Sequence, residues 1–131
     1  MDDTDRKIIS ILKKNSRTAF VKVAERTGLT EGAVRARVKA LVLSGEIRKF
    51  TVQTKEEFSG IVLVNTFADT PTGSVAENIR SMGIDDIYET SGNYEIMCFI
   101  QSDSVKSLNS AVEKIRKIKG VRSTNTCMVL R

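Results

Sequence analysis

Arg35, Arg37 and Lys39 fall within five positions of the run LTEGAVRARVKALVLSGEIRKF, residues 29–50, and Arg48 and Lys49 follow near its end. Basic side chains on a helix most often form a solvated face. Grouped in this way they also suit a polyanion such as the DNA backbone. The charge distribution favours the second reading. Residues 1–57 carry 13 Lys and Arg against 8 Asp and Glu, a net of +5, whereas residues 58–131 carry 8 against 8. The whole excess sits in one half, which points to an anionic partner there and a different task for the rest.

Other chemistries are poorly provided for. The chain has no histidine, so a His-based general acid or base, a Ser-His-Asp triad and a Cys/His zinc site are all excluded. No nucleophile–base pair or phosphate-cradling glycine loop is visible. No enzyme activity and no cofactor are expected. Cys98 and Cys127 stand singly in the apolar stretches EIMCFI and NTCMVL, and read as free, buried thiols in a reducing compartment. No apolar run approaches a membrane span, and MDDTDRK is too polar to open a secretory signal. A cytoplasmic protein is expected.

The elements that must hold the basic cluster follow from periodicity. Ile8, Ile9 and Leu12 predict a helix over about 3–14, with acidic residues in its first turn. Ser16 or Thr18 starts a second helix with Phe20, Val23 and Ala24 inward, ended by Gly28. Thr30 is the expected N-cap of a third, whose buried stripe is Val34, Val38 and Leu41. This pair of helices across a short turn is the helix-turn-helix arrangement, whose second helix enters the major groove. Arg35 and Lys39 then face outward. Arg37 is nearer the edge of the stripe, its stem packed and its head in reach of a phosphate. Thr30 and the first-turn amides suit a phosphate, and Arg48 and Lys49 would flank the duplex from a strand or wing formed by EIRKFTVQ.

Residues 53–60, QTKEEFSG, read as a hinge. Beyond them the pattern is strand (IVLVNTF), helix (TGSVAENIRSMG), two strands (DDIYETSG and NYEIMCFIQ) around the turn Ser91-Gly92-Asn93, helix (SDSVKSLNSAVEKIRKIKG, with Val105, Leu108, Val112, Ile115 and Ile118 inward) and strand (VRSTNTCMVL). That order, βαββαβ, is ferredoxin-like. The expected class is α+β: a winged helix-turn-helix over 1–52, a hinge over 53–60 and a second domain over 61–131.

The opening DxxDRKIIxxLxxNxR, the run VAERTGLTEGAVRARVKALVLSGEI and the trailing βαββαβ segment with TSGNYEI together resemble the Lrp/AsnC (feast/famine) family over almost the whole chain. The resemblance implies an effector-sensing RAM domain at 61–131, homodimers that assemble further, commonly to octamers, and amino-acid effectors bound between RAM dimers. It implies regulation of amino-acid metabolism genes, often including the regulator's own. By the same resemblance the effector site falls on Gly92, Asn93, Tyr94 and Glu95, on Thr124 and Thr126 of the last strand, and near Asp69. Glu95 stands where Asp is common in the family.

The chemistry of those residues is compatible with a free amino acid. Gly92 lets backbone amides approach a carboxylate, the threonines donate or accept, and the carboxylates of Asp69 and Glu95 suit a basic ligand such as lysine. Turn chemistry alone also accounts for Gly92 and Asn93. The expected partners are double-stranded DNA, an amino acid and further copies of the chain, with no membrane. The competing function is an architectural nucleoid-type protein that coats DNA with little sequence choice; the two differ in the ratio of specific to random binding.

Overall fold

The computed structural model describes residues 1–55 and 58–130. It divides into two compact units, Met1–Gln53 and Thr54–Arg131.

The N-terminal unit is three helices: α1 (Asp3–Lys14), α2 (Phe20–Thr27) and α3 (Glu31–Leu43). Its core gathers Ile8 and Leu12 of α1, Val23 and Ala24 of α2, and Val34 and Val38 of α3, with Phe20, Leu29 and Ile47 packed against it. α2 begins after Ala19, which supplies no side-chain cap, and not at Ser16 or Thr18. Those residues lie in the preceding turn, where the Thr18 hydroxyl donates to the Asn15 carbonyl at 2.7 Å. The strand expected from EIRKFTVQ is also absent: residues 46–55 carry no regular secondary structure. A strand needs a ladder partner, and this unit offers only helices. Ile47 is held by its N–H on the Leu41 carbonyl (3.0 Å), and Arg48 through Lys55 are exposed.

The C-terminal unit is β1 (Phe58–Thr66), α4 (Thr72–Arg80), β2 (Ile87–Glu89), β3 (Ile96–Ser102), α5 (Val105–Arg116) and β4 (Val121–Val129). The sheet is antiparallel with order β2-β3-β1-β4. The hinge expected over 53–60 is therefore shorter. Phe58, Ser59 and Gly60 pair with Ser102, Gln101 and Ile100 of β3, residues 53–55 are irregular, and Glu56 and Glu57 lie outside the described residues. One sheet face carries Val62, Val64, Ile96, Cys98 and Ile100 into a core closed by Val75, Ile79, Leu108 and Ile115 of the helices. Burial pushes the Cys98 thiol up to about 11. Two inward assignments fail: Val105, in the first turn of α5, is 43% exposed, and Cys127 is exposed. Cys127 pairs with Ile61 on the sheet face opposite the one that α4 and α5 cover. Among the described residues no helix is long and apolar enough to cross a membrane.

Candidate nucleic-acid interface and ligand site

The helix-turn-helix is set by a few local contacts. Gly28 ends α2 at φ +72°, a conformation that side-chain-bearing residues adopt only at a cost. The N–H groups of Gly28 and Leu29 both reach the Ala24 carbonyl. Thr30 then caps α3, its hydroxyl oxygen accepting the Ala33 N–H at 3.2 Å, which leaves the earlier first-turn amides for an anion.

With Val34, Val38 and Leu41 buried, α3 presents Glu31, Gly32, Arg35, Ala36, Lys39 and Ala40 to solvent. A Cβ placed on Gly32 would touch nothing within 4 Å. Packing therefore does not demand the glycine, and with Ala36 and Ala40 it makes a narrow stripe beside the charged one. The charge pattern singled out Arg35 and Lys39 and passed over this stripe, although its spacing of four is legible.

Arg35 makes two contacts on this face. Its guanidinium donates to Glu31 Oε1 at 2.6 Å and its carbon lies 5.4 Å from the centroid of the Phe20 ring. The Glu31 contact draws it toward the N-terminal end of α3, the end from which such helices reach base edges. Lys39 is exposed on the same face. Arg37, expected near a phosphate, is turned elsewhere. Its Nη1 donates to Asp2 Oδ2 at 2.7 Å and to Asp5 Oδ1 at 2.8 Å. The Asp5 backbone N–H and then Arg37 hold the Asp2 carboxyl below the ordinary carboxylate range; Asp2 and then Asp5 raise the Arg37 pKa in return. Arg48 and Lys49 are exposed in the irregular segment.

In the C-terminal unit the residues of the expected ligand site separate into two sets. Gly92 turns the β2–β3 loop at φ +128°, and the loop is tied by Thr90, whose N–H donates to the Glu95 carbonyl and whose hydroxyl donates to the Tyr94 carbonyl. Glu95 Oε2 accepts the Thr66 N–H at 2.9 Å. Asn65, with its amide turned to match its neighbours, donates to the same Oε2 at 3.2 Å and to the Asn93 carbonyl at 2.7 Å. Among the described residues no donor reaches Oε1. The Tyr94 hydroxyl accepts from the Asn125 amide at 3.3 Å.

Asn125 was not foreseen, and it is the β4 residue this loop meets. Thr124 and Thr126 lie opposite Val64 and Val62, both fully buried, and so share the helix-covered face, whereas Asn125 lies opposite Leu63 on the other. A single chain thus does not bring the threonines to Tyr94. A cleft of about 500 Å³, lined by Met82, Ile84, Lys106 and Lys114 among others, contains none of these residues.

Asp69 sits in the turn after β1, where it accepts the Thr70 hydroxyl at 3.4 Å. That turn is braced from the α5–β4 loop: the Phe67 N–H donates to the Gly120 carbonyl at 2.9 Å. Gly120 has φ +101°, and a Cβ there would overlap Thr70 Cγ2. Gly120→Ala is therefore expected to destabilise this unit by about 1–3 kcal/mol, read as a lower urea midpoint. Adding Thr70→Ala should recover only the part due to overlap. An unchanged midpoint would mean that neither backbone strain nor crowding holds this turn.

Residues 1–42 match the AsnC-type helix-turn-helix domain and residues 61–131 the Lrp/AsnC ligand binding domain. The chain is 36% identical to the HTH-type transcriptional regulator LysM of Sulfurisphaera tokodaii, over all of this chain and 96% of that protein. It is 31% identical to the HTH-type transcriptional regulator FL11 of Pyrococcus furiosus, over all of this chain and 90% of that protein. Its fold is shared with a feast or famine regulatory protein from M. tuberculosis complexed with L-methionine: TM-score 0.78, 22% identity, 99% of this chain and 92% of that one.

Proposed function

The chain belongs to the Lrp/AsnC family of transcriptional regulators, and from that premise we propose that α3 reads DNA sequence through Arg35 and Lys39 under the control of an amino-acid ligand. It is a DNA-binding regulator with a ligand-binding domain and not an enzyme. The observation that carries the reading is Arg35, which meets Glu31 and Phe20 on an exposed, narrow helix face. Thr30 and the first-turn amides hold a phosphate beside it, and Arg48 and Lys49 add further phosphate contacts.

The ligand is an amino acid, as in the M. tuberculosis protein complexed with L-methionine, and a basic one here. Glu95 Oε1 is left without a donor among the described residues and accepts an ammonium. Asp69 offers a second carboxylate at the same end of β1. Gly92 and Asn93 leave loop backbone open to the ligand's carboxylate, and Tyr94 and Asn125 form a wall. Thr124 and Thr126, which their own chain does not bring to the loop, take part only if the site is completed across copies.

The uncovered sheet face supplies the association. Ile61 pairs with Phe99 and Leu63 with Met97 on that face, and Tyr88 and Cys127 extend it. An apolar face of this kind marks an interface. A homodimer through it gives the two-fold symmetry of a palindromic operator, with octamers as the further assembly. The targets are genes of amino-acid metabolism, its own gene first among them, in the cytoplasm.

The test is binding to the DNA upstream of its own reading frame and to random duplex of equal length, with each amino acid added in turn. A specific complex shifted by lysine supports the proposal in full. Equal affinity for both duplexes would replace it by the architectural reading, and indifference to every amino acid would remove the effector. In calorimetry, Glu95→Gln should weaken lysine binding about tenfold or more, since a charge-assisted hydrogen bond is lost. Unchanged lysine affinity would remove Glu95 from the site.

A further inference from the structure

Arg37 occupies a position that neither the charge pattern nor the buried stripe explains. Successive residues of a helix turn by about 100°, so Arg37 lies roughly 200° from both Arg35 and Lys39 and faces away from them. What it meets is the capping box of α1. Asp2 Oδ1 accepts the Asp5 N–H at 2.8 Å, and Asp5 Oδ2 accepts the Asp2 N–H at 2.9 Å. The remaining oxygens, Asp2 Oδ2 and Asp5 Oδ1, both accept from Arg37 Nη1. All four carboxylate oxygens are thereby used, two to start α1 and two to hold α3.

We infer that Arg37 is a positioning residue, a latch between the α1 cap and α3 that fixes the rotation of α3 and with it the presentation of Arg35 and Lys39. The inference rests on the reading of α3 as the DNA-reading helix. Apolar contacts through Val34, Val38 and Leu41 are non-directional and tolerate small rotations of the helix. A charge-assisted hydrogen bond is directional and does not. A lone exposed ion pair would do little, but this one is shared with a helix cap, and the Asp5 side chain is only 14% exposed. With two aspartates on it, Arg37 has no charge to lend to a phosphate. It belongs to the geometry of the interface and not to its contacts.

The distinction has opposite signs in experiment. The full-length chain is titrated, over a salt series, with a duplex enriched from a random library on the unaltered protein and with random duplex of the same length. Arg37→Ala is expected to weaken the enriched duplex at least about tenfold more than the random one. The slope of log affinity against log salt on random duplex should not change, because no counterion-releasing contact is lost. Asp5→Asn should do the same, and the double variant should be no worse than either single one.

If Arg37 instead binds a phosphate, Arg37→Ala lowers that slope by about 0.9, and Asp5→Asn frees the guanidinium and tightens binding. Either result overturns the latch. Proportional loss on both duplexes with an unchanged slope reports only a smaller folded fraction, and overturns it too. Should Asp5→Asn fail to fold by circular dichroism, Asp2→Asn, which removes the more exposed arm, carries the same expectations. If no duplex is enriched on the unaltered protein, the reading of α3 fails, whereas the salt slope and the sign of the aspartate variants still decide where the guanidinium of Arg37 goes.

Discussion

Arg35→Ala is expected to lower affinity for an enriched duplex by about 1–3 kcal/mol, roughly a five- to 150-fold loss, and to flatten the sequence preference where the side chain reads. The magnitude follows from what the side chain can reach. Its guanidinium meets Glu31 and Phe20 on the exposed face, and its planar fork can address two acceptors on one base. Arg35→Lys should fall close to Arg35→Ala in specificity while keeping most of the non-specific affinity, because the charge survives and the fork does not. Arg48→Ala is the contrast: it should weaken enriched and random duplexes in equal proportion and reduce the salt slope by about one. Competition titrations over random duplex measure both. Equal proportional losses from Arg35→Ala and Arg48→Ala would end the division between base reading and phosphate contact.

The course of the chain was legible wherever the signal is local. The three N-terminal helices, the glycine that stops α2, the Thr30 cap and the βαββαβ order all come from periodicity and capping, which neighbouring residues decide. What was not legible depends on partners far along the chain. Arg37 reads as one more basic residue of α3 until Asp2 and Asp5, more than thirty positions away, take its guanidinium. The alternation in EIRKFTVQ is a strand signal, but alternation does not supply a ladder partner. At the β2–β3 loop, sequence places Thr124 and Thr126 on one strand face and cannot say which face. The register against Val64 and Val62 decides that, and Asn125 is the residue it turns toward Tyr94.

Gly60 was misread for a related reason, and the strongest stability effect expected in this protein follows from it. Beside Ser59 it looks like the end of a flexible hinge. In the sheet it pairs with Ile100 and Met128, and a Cβ on it would come within 3.1 Å of both Leu108 methyl carbons. The missing side chain is the space into which α5 lowers Leu108, which is fully buried. Leu108→Ala should therefore cost about 2–5 kcal/mol of stability in the C-terminal unit, since neither Gly60 nor the strand backbone can fill the void. Amide exchange should quicken in β1 and β3 and stay unchanged in α1–α3, whose core contains none of these residues. Gly60→Ala added to Leu108→Ala should recover part of the loss, because its methyl enters the vacated space and alanine loses less backbone freedom than glycine. Gly60→Ala alone must push Leu108 aside, so the same substitution stabilises one background and strains the other. If it acts alike in both, Leu108 does not owe its seat to the glycine, and the docking of α5 rests on Ile115 and the rest of its apolar face.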